Sequence, residues 1–225
     1  MEQNSPEERE RAAFIHLKRS DAALHARALP HRGTISTRIK PKRTNNALFQ
    51  SLVSSIVSQQ LSTKAAQSIY ARLVEVVGGN LTPTSVLAVH SVKLRTAGLS
   101  EAKVRSITEL AQAIESKELN LLRLKKLPAE EAVKELTKVF GIGVWTAEMF
   151  LIFALGAPDV FSPGDLILDR QMRKHLGISP DVSRKELTRM AERWSPHRSF
   201  VSLLFWKLHH VQLDAEAEAK TKGTK

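Results

Sequence analysis

Two short stretches carry residue types with chemistry to offer. In Val139-Phe140-Gly141-Ile142-Gly143-Val144-Trp145-Thr146-Ala147, two glycines flank one apolar residue between helix-forming runs. Glycine admits positive φ and close backbone approach. The helix that starts here points its unpaired N–H groups, and the positive end of its dipole, outward. Such a turn can hold a phosphate through main-chain donors without reading sequence, with Ile142 anchoring it in the core. It can equally be an αα-corner closed by a glycine C-cap; Gly-x-Gly alone leaves both readings open. Further along, Asp165 follows Ser162-Pro163-Gly164 and opens the apolar run Leu166-Ile167-Leu168. Asp is a favoured N-cap and needs no other role. Whether its carboxylate also reacts is not decided by this segment.

Other polar groups are less suggestive. Asp169 lies one helical turn beyond Asp165, and Arg170 and Arg173 stand near it. An ion pair is the expected role, not a second catalytic acid. The eight histidines form no metal-ligand spacing. His209 and His210 are adjacent and cannot share one helical face.

The elements that must position these residues are helices. Strand-like alternation is scarce, whereas apolar residues recur at helical spacing nearly throughout. Leu48, Leu52, Val53, Ile56 and Val57 form one stripe that ends near Gln59-Gln60. Ser62 is suited to cap a helix through Val77, and Ser100 one that carries Val104, Ile107, Leu110 and Ile114. Further helices are expected after Pro83, from Pro128 to Val139, from Val144 to about Leu155, and over Leu166–Leu176, Ser183–Trp194 and Pro196–His210. The fold class is all-α. His31–Arg43 reads as a connecting segment, and residues 1–10 and 214–225 as loose tails without an apolar face.

Composition narrows the partners. Lys and Arg total 34 against 23 acidic residues, a formal net charge of +11 that suits a polyanion. Basic enzymes and membrane-surface proteins share that excess, so charge alone leaves the partner open. With no cysteine, disulfides, zinc thiolates and cysteine-ligated iron–sulfur clusters are excluded. No apolar run is long enough to span a bilayer, and polar Met1–Arg11 is unlike a secretory signal. An intracellular protein is expected.

Taken together, the segments resemble the helix-hairpin-helix DNA glycosylases, and within them the DNA-3-methyladenine glycosylase II family of alkylpurine glycosylases. The resemblance rests on blocks in family order: Ser58-Gln59-Gln60-Leu61-Ser62-Thr63-Lys64-Ala65-Ala66; Ala97-Gly98-Leu99-Ser100 with Lys103; Gly141-Ile142-Gly143 with Trp145-Thr146-Ala147; Asp159-Val160-Phe161 through Asp165; and Glu192-Arg193-Trp194-Ser195-Pro196 with Arg198-Ser199 and Trp206. They span roughly Leu48 to His210.

The resemblance implies a two-lobed helix-hairpin-helix fold with the active-site cleft between the lobes. Residues 44–157 would form the central lobe, and 11–43 with 158–213 the other. Asp165 becomes the catalytic carboxylate, stabilising oxocarbenium character at the deoxyribose and activating water. A purine alkylated at N3 or N7 is already cationic, so one carboxylate can suffice where sugar hydrolases pair two. Trp206, with Trp145 and Phe49, is expected to line the base pocket, since an indole face suits a cationic base. For Trp206 a core role stays open, as it does for Trp145 and Trp194. Gln59, Gln60, Leu61 and Ser62 would meet the minor groove, with Gln60 as the wedge and Leu61 second; a polar helix end with Leu61 in the core is the alternative. Gly141, Ile142, Gly143, Trp145, Thr146 and Lys64 would bind phosphate. No cofactor is implied beyond a monovalent cation on the hairpin main chain near Gly141 and Gly143.

Two departures matter. Where some relatives carry a Schiff-base lysine, this chain has Trp145, so no lyase activity is expected. The added N-terminal β-rich domain of some relatives is expected to be absent. Double-stranded DNA containing damaged bases is the implied partner of a monomeric protein, which would act wherever the DNA lies. A non-catalytic binder of abasic or distorted DNA, or a glycosylase for oxidised or deaminated bases, are the competing functions.

Overall fold

Side-chain caps start most of the helices. In this computed structural model, residues 5–35, 41–42 and 44–223 are described. In chain order the helices are α1 (Pro6–Ser20), α2 (Ala22–Ala28), α3 (Asn45–Ser58), α4 (Thr63–Val76), α5 (Pro83–Leu87), α6 (Ser91–Arg95), α7 (Glu101–Glu115), α8 (Ala129–Thr137), α9 (Val144–Phe150), α10 (Leu166–Leu176), α11 (Arg184–Ala191) and α12 (Arg198–Gly223). No strand occurs among the described residues. Thr44, Ser62 and Ser100 each accept the N–H three residues on, and Ser5–Glu8 and Ser183–Glu186 close reciprocal capping boxes. Each cap satisfies an orphan donor of the first turn. α9 runs on without a break into a π-helical turn, Leu151–Leu155.

The chain divides into two compact units, Pro41–Leu155 and the pairing of Met1–Lys40 with Gly156–Lys225. Within Pro41–Leu155, α3 is central and packs on α4, α7 and α9. Its residues Leu48, Phe49, Leu52, Val53, Ile56 and Val57 are all buried. α7 adds Val104, Ile107, Leu110 and Ala111 to the core. In the other unit, α10 packs on α12 and α1 on α2. Trp194 is fully buried there, and its indole N–H donates to Asp21 Oδ2 at 3.1 Å.

The ends differ from the sequence expectation. α1 begins at Pro6 because Ser5 and Glu8 cap it reciprocally, and Glu10 is buried. α12 continues to Gly223; its Ala, Glu and Lys residues are strong helix formers even without an apolar stripe. Residues 1–4 and 224–225 of the expected tails, and 36–40 and 43 of the expected connecting segment, lie outside the described residues. No helix among the described residues is long and apolar enough to cross a membrane.

Candidate active site

Asp165 fills the cap role that its sequence position allows. Its Oδ1 caps α10, accepting from Ile167 N at 3.0 Å and Leu168 N at 2.9 Å. The same oxygen accepts the Trp206 indole N–H at 3.2 Å. Trp206 and Asp165 are both 8% exposed, so the pair is largely shielded from water.

α12 fixes the loop that delivers this carboxylate. Arg198, Ser202 and Trp206 are spaced four apart and share one face of the helix. They meet the loop in succession. Arg198 Nε and Nη2 donate to the two carboxylate oxygens of Asp159 at 2.8 and 3.0 Å. Ser202 Oγ lies 3.5 Å from Val160 O, and Trp206 reaches Asp165. Ser199 Oγ adds a bond from Val160 N at 2.9 Å and donates to Ala157 O at 2.7 Å. Burial raises the Asp159 pKa, but the hydrogen bonds and charge of Arg198, with the Ser195 hydroxyl, outweigh it and hold the carboxyl below its ordinary value.

The hairpin lies in the Pro41–Leu155 unit. Gly141 has φ +79°, and a Cβ there would sit 2.0 Å from Ser106 Oγ on α7. Both constraints demand glycine at this position. Gly143 differs: its φ is −82°, and a Cβ would meet nothing within 4 Å. Its missing side chain therefore leaves the head of α9 uncovered. Ile142 is buried beneath the turn.

The α3–α4 turn stands against the hairpin. Gln59 Nε2 donates to Gly141 O at 3.1 Å and lies 3.5 Å from Thr146 Oγ1. Gln60, at the turn's tip, has φ +57° and is exposed, as are Leu61, Ser62 and Lys64. A groove of about 320 Å³ opens beside them, lined by Ser54, Ser58, Gln59, Gln60, Trp145 and Met149 among others.

One expectation is corrected. Phe49 is fully buried in the α3 stripe and presents no surface to a base. The Thr146 side chain is buried too, and the phosphate reading of this residue rests on its main chain. Trp145, by contrast, is 49% exposed on the groove. Leu61 is exposed and not in the core. Asp169 pairs with Arg173 at 2.9 Å, and Arg173 also donates to the carbonyls of Ser179, Pro180 and Val182. Among the described residues, no three His, Asp or Glu side chains gather as metal ligands. Sequence reasoning missed Asp159, Ser106 and Ser202; the four-residue spacing along α12 was the available signal for the last of these.

Comparison with known proteins gives this geometry a context. Residues 53–197 match the HhH-GPD superfamily of base excision DNA repair proteins. A DNA-3-methyladenine glycosylase of Saccharomyces cerevisiae is 32% identical over 213 aligned residues, covering 79% of this chain and 72% of that protein. A DNA-3-methyladenine glycosidase structure from Bacillus halodurans superposes with a TM-score of 0.77 at 34% identity, covering 92% of this chain and 90% of the other. The Schizosaccharomyces pombe 3-methyladenine DNA glycosylase, solved with abasic DNA, superposes with a TM-score of 0.67 at 27% identity, over 87% and 95% of the two chains.

Proposed function

This chain belongs to the HhH-GPD superfamily of base excision DNA repair proteins, in its DNA-3-methyladenine glycosylase family, and from that premise we propose that it flips alkylated purines out of duplex DNA and hydrolyses their N-glycosidic bonds. The observation that carries this reading is the buried Asp165 carboxylate, held by two main-chain donors and the Trp206 indole.

Each part has a task in that reaction. Alkylation at N3 or N7 puts positive charge on the purine, making it a good leaving group without a strong general acid. The bond electrons go to the base as it departs, and the deoxyribose gains oxocarbenium character. A fixed carboxylate stabilises that charge, most effectively where water is scarce. Asp165 then orients and deprotonates the attacking water, which adds to the anomeric carbon. The indole face of Trp206 attracts a cationic base. Gln60 or Leu61 fills the gap in the base stack, while Gly141–Gly143, Lys64 and the first main-chain N–H groups of α9 hold phosphates.

The Gly141 and Gly143 carbonyls already accept hydrogen bonds from Gln59 Nε2 and Ala147 N. Each carbonyl oxygen keeps a second lone pair, so a monovalent cation on the hairpin main chain stays part of the proposal, and no step here runs through one. The hairpin position that bears an attacking lysine in lyase relatives carries Trp145, so the protein hydrolyses without cutting the strand. Borohydride trapping on an abasic duplex is expected to yield no covalent adduct; an adduct would overturn the monofunctional assignment.

A panel of duplexes, each with one defined lesion, tests the substrate class. Free 3-methyladenine or 7-methylguanine should be released fastest under single-turnover conditions, by a protein that elutes as a monomer. Faster release of an oxidised or deaminated base would move the assignment to another lesion class. Tight binding to abasic duplex with no release from any lesion would make the protein a binder instead.

A further inference from the structure

α7 touches the α3–α4 turn and the Gly141 hairpin on successive turns. In its first turn, Lys103 Nζ donates to Val57 O and Gln59 O, each at 2.8 Å. These carbonyls lie at the C-terminal end of α3, where a helix leaves acceptors unpaired and a cation is favoured. One turn later, Ser106 is packed so closely on Gly141 that a β-carbon could not fit between them. Gln59 spans the interval: Lys103 holds its carbonyl, and its side-chain amide reaches Gly141 O at 3.1 Å. The next residue, Gln60, sits at φ +57°, a conformation that non-glycine residues seldom keep without support from their surroundings. Partial burial lowers the Lys103 pKa, the direction in which desolvation moves an ammonium.

We propose that Lys103 is a positioning residue for base extrusion: it clamps the α3–α4 turn and, through the Gln59 side chain, locks that turn in register with the Gly141 hairpin. Its use in extrusion rests on the glycosylase reading above. The wedge residue must enter the stack at a fixed height relative to the phosphates gripped by the hairpin. A turn free to slide would lose that register even with every DNA-contacting side chain intact. Lys103 acts only through the turn and touches no reacting atom.

The test uses the full-length protein with Lys103→Met, Gln59→Met and the double variant. Methionine keeps the length of the lysine stem and removes its donors. Thermal melting checks that each variant folds; should Lys103→Met fail to fold, Lys103→Gln carries the same expectations. Amide exchange at Leu61, whose N–H donates to Ser58 O at 3.2 Å, reads the clamp without any DNA. Exchange there should quicken about tenfold in Lys103→Met, the effect of a modest loss of local stability. Affinity for an abasic-site duplex should fall about tenfold, with the double variant no weaker than the weaker single one.

The dependence of affinity on salt should stay unchanged, because a clamp that touches no phosphate releases no counterion. A slope reduced by about one would make Lys103 a direct phosphate contact and overturn the proposal. So would unaltered Leu61 exchange, or additive losses in the double variant. Failure of the glycosylase reading looks different: the unmodified protein would release no base from any lesion duplex, while Leu61 exchange would still report the clamp.

Discussion

One oxygen of Asp165 accepts three N–H donors, and only the Trp206 indole comes from another helix. Replacing Trp206 with phenylalanine keeps an aromatic face and removes that donor. A hydrogen bond to a charged group is worth about 1.5–3 kcal/mol, so excision should slow about tenfold while folding stays intact; a rate equal to the original would remove the indole N–H from the positioning of Asp165. Sequence left Asp165 open between cap and reactive carboxylate, and Trp206 between pocket and core. The alternatives are not exclusive, because capping uses one oxygen and an indole can be buried while its edge donates. Phe49 was misjudged for a visible reason. It stands three and four residues before Leu52 and Val53, and that spacing already places it in the α3 stripe.

At the scale of the elements, the two hairpin glycines separate cleanly. Gly141→Ala forces a left-handed alanine against Ser106 and should cost about 2–4 kcal/mol of stability, the sum of backbone strain and overpacking. Gly143→Ala meets open space and should leave stability within about 0.5 kcal/mol. It should nonetheless weaken duplex binding, because a methyl group then covers the head of α9. Chemical denaturation paired with a duplex titration checks both; equal destabilisation would mean that Gly143 is also a packing glycine. Gly-x-Gly could not reveal this asymmetry, since it depends on Ser106 from a distant helix.

α12 makes a second element-scale claim. The Asp159–Arg198 pair, with both side chains about a quarter exposed, fixes the loop before Asp165. Asp159→Asn should cost about 1–2 kcal/mol near neutral pH. Because the folded carboxyl titrates below its ordinary value, its contribution is complete above the unfolded value near pH 4 and fades as pH falls through the folded one. The stability gap between the two proteins should therefore hold constant above about pH 5 and close on further acidification. A gap that persists unchanged below about pH 3 would contradict this origin.

For the whole molecule, the sequence was most legible where local chemistry sets the outcome. Ser62, Ser100 and Ser183 announced helix starts because a cap needs only its own backbone neighbours. It was least legible where distant segments meet, as in Lys103 reaching the end of α3 or Arg198 reaching Asp159. The tails misled because polar composition implies a lack of burial, not a lack of helix. A net charge of +11 is consistent with many polyanion binders, and only the ordered blocks singled out damaged DNA. In the proposed reaction, what makes such a binder an enzyme is a single carboxylate, and its chemistry can be removed with little disturbance to the fold. Asparagine is as good an N-cap as aspartate, so Asp165→Asn keeps the acceptor for Ile167, Leu168 and Trp206 and deletes the charge. The decisive measurement is the single-turnover rate of 7-methylguanine release from duplex DNA by the two proteins, with melting temperatures and duplex affinities matched. A fall of about 100-fold or more is expected for the variant; equal rates would take Asp165 out of the reaction.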